Sequence, residues 1–361
     1  MPLSVTDTAK PIKVIVDTDA GVDDSAAIAW LLSQKQHPID LLGITTVAGN
    51  TSVENVARNV LTILDKVGRQ DIPVLLGAAQ PLQQPLSISG AFVHGPDGLW
   101  LASGTTPPPD VTALATDVAA FYKQHAAPDV ILLALGPLTN LALALAVCPD
   151  EIAKFKQIIF LGGAINGGNR TPVAEYNVWY DPEAAATVLS AGLPITMVPL
   201  ETFRTFTLSD GDIDQLATEG TAVSQFLAAP LRQYGAGQNK SNDASETAVA
   251  DVVAAIYMMD QSIGQTQPAL VEIVAGIDET GPHRLLRGQT IIGLEFAERI
   301  TMIADDLEIR RLAEQGFSDP DFNLQAALGA ILGRKPDNSN VVTEIDTAVM
   351  HQRFMQAFLP E

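Results

Sequence analysis

Apolar runs of strand length alternate with helical periods along most of the chain. Ile12-Lys13-Val14-Ile15-Val16 is the first such run, and Ser25-Ala26-Ala27-Ile28-Ala29-Trp30-Leu31-Leu32 is the first helical pattern. Residues 39–47 predict a strand, 53–67 a helix with Val56, Val60, Leu61, Ile63 and Leu64 on one face, and 74–76 a short strand. Helix is expected over 111–125, strand over 130–135, helix over 138–147, strand over 157–161, helix over 182–191 and strand over 195–200. Such βαβα order implies an α/β fold, with an open, mostly parallel sheet flanked by helices. Beyond Ser209 the pattern turns helical over 210–217, 221–234 and 248–261. A β-rich patch follows, with candidates at 270–277, 289–292 and 299–303, and then helices over 322–332 and 345–359. Two stretches rich in turn residues, 85–109 and 235–247, read as mobile loops over the site.

With 361 residues, 47% of them hydrophobic, the chain can bury a large core, and one domain over 1–361 with a polar tail at 1–11 is expected. A formal charge of −21 argues against a nucleic-acid partner, because phosphate binders concentrate Lys and Arg. A small neutral or cationic molecule fits better. Cys148 is the only cysteine, which excludes a disulfide framework and a thiolate metal site. The longest apolar region, 130–147, is broken by Gly136-Pro137, so it reads as strand, turn and helix instead of a membrane span. A soluble, cytoplasmic protein is the expectation.

The first strand runs directly into four acids, Asp17-Thr18-Asp19-Ala20-Gly21-Val22-Asp23-Asp24. Helix capping explains Asp23 and Asp24, which fall where a helix begins. It leaves Asp17 and Asp19 unexplained at the end of a buried strand. Carboxylates crowded at the mouth of a sheet repel one another unless a cation or bound hydroxyls offset them. Hard divalent cations such as Ca²⁺ prefer such oxygen ligands.

Other strand ends carry polar groups as well: Val47-Ala48-Gly49-Asn50, Gly136-Pro137-Leu138-Thr139-Asn140, and Gly162-Gly163 followed by Asn169 and Ala174-Glu175-Tyr176-Asn177. In open α/β sheets ligands bind at these carboxyl ends. Carboxylates and amides together suit a polyhydroxylated ring, whose hydroxyls both donate and accept. A carboxylate beside an activated water suits attack at an anomeric carbon through an oxocarbenium-like state.

The acidic motif resembles the signature of the inosine-uridine-preferring nucleoside hydrolases. Val47-Ala48-Gly49-Asn50, His94-Gly95-Pro96-Asp97-Gly98-Leu99, Leu135-Gly136-Pro137-Leu138-Thr139-Asn140, Leu161-Gly162-Gly163-Ala164 and Ala174-Glu175-Tyr176-Asn177 resemble further family blocks, and the likeness spans roughly 12–310. The resemblance implies Ca²⁺-dependent hydrolysis of a ribonucleoside to ribose and free base, by a homo-dimer or homo-tetramer. It implies Asp19 as general base, and Asp19, Asp24, Asp251 and the Leu135 carbonyl as metal ligands. Asp23, Asn50, Asn169, Glu175 and Asn177 would surround the ribose, and His94 would lie near the pocket.

One position departs from that pattern. Ala250 stands where many members carry a general-acid histidine just before the last aspartate. Aromatic stacking by Trp100, or by Tyr234, could assist the leaving base in its place. A substrate with an already cationic base, such as nicotinamide riboside, would need no acid. A third reading is a nucleoside-binding protein without turnover. A phosphohydrolase with Asp17 as nucleophile and Asp19 as acid is the rival enzyme.

Overall fold

The computed structural model describes residues 10–35, 37–84, 90–101, 109–238, 246–276, 285–319 and 321–360. Eleven strands run in chain order as β1 (Ile12–Thr18), β2 (Ile39–Thr46), β3 (Val74–Leu76), β4 (Val130–Ala134), β5 (Gln157–Leu161), β6 (Ile195–Val198), β7 (Thr207–Ser209), β8 (Glu246–Ala248), β9 (Gly264–Ile273), β10 (Thr290–Gly293) and β11 (Ser339–Ile345) among the described residues. Nine form one sheet in the order β10-β9-β11-β6-β5-β4-β1-β2-β3, and β7 pairs with β8 separately. From β3 to β11 every neighbouring pair is parallel, while β9 runs antiparallel to both β11 and β10. The mostly parallel sheet expected from the alternation is therefore present.

The chain winds outward from β1 to β2 and β3, then returns to β4 on the other side of β1. This reversal is the place where an open α/β sheet opens a crevice at its carboxyl edge. Both sheet faces are covered. Val14, Val16, Ile131 and Leu133 belong to one buried cluster with helices Val22–Ser33, Val53–Val67 and Ala250–Met259. Ile15, Leu132 and Ala134 belong to the other, with helices Val118–His125, Thr139–Val147 and Pro182–Leu189. Strands buried on both faces read as continuous apolar runs, which is why β1, β4 and β5 stand out in the sequence.

Several expectations are corrected. Helix begins at Val118, not at 111, because the preceding residues bond to the sheet edge: Leu76 N–H donates to Ala115 O at 2.8 Å, and the Asp117 carboxylate caps Ala120 N–H at 2.9 Å. Residues 299–303 are not a strand but part of helix Phe296–Ile303, whose start is held by a Glu295–Glu298 capping box. Strand β11 and helix Asp306–Ser318 lie outside the elements that the hydrophobic pattern predicts. Within the two stretches read as loops, 90–101 contains a short helix, Ala91–His94, and 235–238 ends the helix Ala222–Gln238. Residues 246–248 form β8. The remainder of both stretches, 85–89, 102–108 and 239–245, lies outside the described residues. No described helix is long and apolar enough to cross a membrane.

Alternation along β1 sends Asp17 to the same side as Ile15. There its Oδ2 accepts hydrogen bonds from Thr45 Oγ1 at 2.7 Å, Asn140 Nδ2 at 2.8 Å and the Tyr122 hydroxyl. Asn140 also donates to Thr46 O at 3.0 Å and accepts from Ala78 N–H at 2.8 Å. One carboxylate thus ties β1 to β2 and to two helices. Burial pushes its pKa up to about 6 against the pull of those three donors. We expect Asp17→Ala to remove the acceptor these three donors share, leaving the Thr45 and Tyr122 hydroxyls to bond each other and Asn140 to rely on Thr46 O, and to destabilise the protein by roughly 1–3 kcal/mol. Urea denaturation monitored by circular dichroism measures that loss, and Asp17→Asn, which keeps an acceptor, should lose less.

Candidate active site

The turn after β1 is shaped by its own side chains. Thr18 Oγ1 donates to Asp24 Oδ1 at 2.6 Å and accepts from Ala20 N–H at 3.1 Å. Asp24 Oδ2 accepts from Gly21 N–H at 2.9 Å, which caps helix Val22–Ser33 with Gly21 as the N-cap residue. Asp24 is therefore both a helix cap and a member of an acidic cluster.

Oxygens of Asp23, Asp24 and Asp251 lie within 4.8 Å of one another, all three buried. Asp251 arrives from the far end of the chain, in the first turn of helix Ala250–Met259. Burial, then the charge of Asp23, raises Asp24 to about 6. Burial, then the charges of Asp24, Asp23 and Asp19, hold Asp251 well above the usual carboxylate range. Asp23 Oδ1 and Asp251 Oδ1 are buried with no hydrogen-bond partner. Orphaned oxygens in a group of mutually repelling acids are the donor set of a hard cation.

Asp19 stands beside this group, its Oδ2 accepting from Asn50 N–H at 2.8 Å, and burial followed by the charge of Asp24 raises its pKa strongly. The converging set thus contains Asp23 where the sequence reading placed Asp19. The Leu135 carbonyl, the other expected ligand, accepts from Asn177 Nδ2 at 2.7 Å and keeps a second lone pair. Two glycines make the packing possible. A Cβ on Gly49 would collide with the Asp19 carboxylate, and one on Gly21 would collide with the His94 ring and the Asn50 amide.

Above the acids opens a cavity of about 880 Å³. Asp19, Asp23, Asn50, His94, Leu135, Asn169, Glu175, Asn177 and Asp251 all line it, and Asp24 lies beneath with no exposed surface. Tyr234 closes one side, donating from its hydroxyl to Asp23 Oδ2 at 2.7 Å, with its ring 4.9 Å from that of His94. The His94 Nδ1 accepts from Val22 N–H at 3.1 Å, so the network assigns the ring proton to Nε2. Its approach of 3.7 Å to Asp23 Oδ1 is then not an ion pair, and burial lowers its pKa, keeping the ring neutral. Glu175 caps helix Tyr176–Tyr180, accepting from Asn177, Val178 and Gly163 N–H groups, and burial raises it to about 7.

Trp100 is not brought to the cavity. Its indole N–H donates to Val93 O at 2.7 Å, and its ring packs on Gly95 and the core beside Ala91–His94. Its φ of +49° lies in the left-handed region. Asp17, the nucleophile of the phosphohydrolase rival, is saturated by three donors and does not line the cavity. That rival is set aside. Ala250 does line it and contributes only a methyl group.

The far wall is formed by Arg170, Phe203, Arg204, Thr207, Gln238 and Glu246, none of them singled out from the sequence. Thr207 and Glu246 come together through β7 and β8, strands of three residues each that leave no readable period. A second cavity of about 510 Å³, between Trp30 and helix Thr347–Phe358, is lined by Lys35, His37 and Arg353 and, among the described residues, by no carboxylate.

The family model for inosine-uridine preferring nucleoside hydrolases matches residues 14–352. Uridine nucleosidase 1 of Arabidopsis thaliana is 34% identical over 286 residues, covering 78% of this chain and 81% of that protein. The non-specific ribonucleoside hydrolase RihC of Klebsiella pneumoniae is 35% identical over 268 residues, covering 73% and 84%. Among solved structures, the plant nucleoside hydrolase PpNRh1 superimposes with a TM-score of 0.77 at 24% identity, over 96% of this chain and 99% of that one.

Added Ca²⁺ should raise the thermal midpoint of the protein, because a ligand that binds only the folded state stabilises it. Asp251→Ala should abolish that rise. Protons compete for the same oxygens, so the rise should grow as pH is taken from about 6 to about 8. Scanning fluorimetry with Ca²⁺ against chelator at each pH reads both effects. Gly49→Ala, which removes no polar group, should weaken Ca²⁺ binding in calorimetry by displacing Asp19, an overpacking cost of about 1–3 kcal/mol.

Proposed function

The chain belongs to the inosine-uridine preferring nucleoside hydrolase family, and from that premise we propose that its cavity carries out Ca²⁺-dependent hydrolysis of ribonucleosides to ribose and free base. The observation that carries the reading is the convergence of Asp19, Asp23, Asp24 and Asp251 at the floor of a cavity large enough for a nucleoside, at the carboxyl ends of β1 and β4.

Asp19 is the general base. Its high proton affinity, imposed by burial and neighbouring charge, suits it to take a proton from water, while Asn50 N–H fixes one of its oxygens. Asp23, Asn50, Asn169, Glu175 and Asn177 orient the ribose hydroxyls. The amide of Asn177 is itself locked by bonds to Leu135 O and Leu161 O at 2.7 and 3.0 Å, so its remaining oxygen has a set direction. A bound Ca²⁺ would be held by Asp24 and Asp251, with Asp19 or Asp23 and the Leu135 carbonyl, and supplies positive charge that binds sugar hydroxyls and lowers the pKa of water. Tyr234 and His94 close the cavity beside the acids and help to exclude bulk water.

The relative named as a uridine nucleosidase makes uridine the first substrate to test, with inosine beside it. Ribose release should be abolished by chelator and restored by Ca²⁺. Asp19→Asn should lower turnover by roughly 10²–10⁴-fold, the usual contribution of a positioned general base. A wild-type protein that binds ribonucleosides without releasing ribose would instead support the binding-only reading, which the methyl group at Ala250 favours.

A further inference from the structure

Breaking a glycosidic bond leaves an electron pair on the base, and the acids at the cavity floor cannot hold it. The charge must be met on the far wall. Most polar groups there are already engaged. The Tyr234 hydroxyl donates to Asp23, and the Tyr176 hydroxyl donates to Gly49 O at 2.9 Å. The Arg170 guanidinium lies 4.0 Å from the centre of the Trp179 ring. His94 sits on the acid side, against Val22 and Asp23.

Arg204 is different. It lines the cavity, is exposed, and among the described residues makes no ion pair and no side-chain hydrogen bond. Arg170 shares that lack of ion pairs and hydrogen bonds but stacks on Trp179, which leaves Arg204 as the uncommitted guanidinium of the lining among the described residues. Its position is set by backbone. Arg204 N–H closes helix Leu200–Phe203 on Leu200 O at 3.1 Å, Thr207 pairs with Ala248 in the β7–β8 ladder, and Val249 N–H donates to Phe206 O at 3.3 Å. The segment 206–209 therefore runs alongside 246–249, so that Arg204 stands on the stretch leading into this ladder and Ala250 and Asp251 on the stretch leading out of it.

We propose that Arg204 stabilises the departing base through its carbonyl oxygen. The inference rests on the hydrolysis proposed above. A guanidinium stays charged at any working pH and presents a fork of donors, so it acts as an electrostatic clamp and transfers no proton. As the water oxygen bonds to C1′, the C1′–N bond breaks and its electron pair passes to the base, delocalised onto the carbonyl oxygen held by Arg204. Asp19 takes the proton of the water, and the released base anion regains a proton from solvent. Adenosine, which has no carbonyl, and nicotinamide riboside, whose base leaves neutral and whose cation faces Arg204, should both be poor substrates.

The test compares kcat/KM of the Ca²⁺-loaded enzyme for uridine and inosine with that for p-nitrophenyl β-ribofuranoside, whose phenolate leaves unaided. Arg204→Ala should lose roughly 10²–10³-fold on the nucleosides, the usual effect of removing one such donor, while the nitrophenyl riboside stays near wild type. Arg204→Lys should recover part of the loss, and circular dichroism should show both variants folded, as expected for an exposed side chain. Equal losses on both substrate types, or no loss on the nucleosides, would overturn the role of Arg204. Wild-type enzyme that splits the nitrophenyl riboside but neither nucleoside would also overturn it, leaving the hydrolase reading intact. Wild-type enzyme inert towards all of them would remove the hydrolase reading itself.

Discussion

Four carboxylates share a small buried space in this protein, and among the described residues no lysine or arginine pairs with any of them. Everything around them answers that repulsion. Two helices, Val22–Ser33 and Ala250–Met259, present their first turns to the same point, so that the positive ends of both macrodipoles face Asp23, Asp24 and Asp251. Hydrogen-bond donors fill in where they can, from Thr18, Gly21, Asn50 and Tyr234. What remains uncompensated is the raised proton affinity of Asp19 and Asp251 and two orphaned oxygens. The unmet demand for positive charge is the chemistry of the site.

Asp17 and Asp19 show how geometry separates similar residues. Only Thr18 lies between them, yet the alternation of β1 sends one behind the sheet edge and the turn sends the other into the cavity. Asp17 is saturated by Thr45, Asn140 and Tyr122 and serves cohesion. Asp19 keeps a single neutral donor from Asn50 and serves reactivity. A reading based on spacing treats the pair as a unit, which is what makes a phosphohydrolase plausible from the sequence.

The sheet was legible where strands are buried on both faces, because an apolar run bounded by turn residues has few alternatives. The extents expected for 53–67, 74–76 and 157–161 match the elements found. Strand β11 was not, since Ser339-Asn340-Val341-Val342-Thr343-Glu344-Ile345 owes its place to pairing with β6 and β9 instead of to its own pattern. The site divides the same way. Residues on strand ends could be listed in advance, and nearly all of them line one cavity. The far wall could not, because Thr207 and Glu246 meet only through the β7–β8 ladder, and the bond from the Trp100 indole to Val93 O leaves no mark in the sequence pattern.

The glycines beneath the site carry a consequence for how such a protein can diverge. With Gly49 pressed on Asp19 and Gly21 pressed on His94 and Asn50, the acid floor has no spare volume. Lineages exploring new substrates would find that half of the cavity closed to them, since even an added methyl group there disturbs the acids. The wall built from Phe203, Arg204, Thr207, Gln238 and Glu246 is open and partly solvated. Novelty is therefore channelled to one side of the molecule: the sugar half is inherited as a block, and the base half is free to drift.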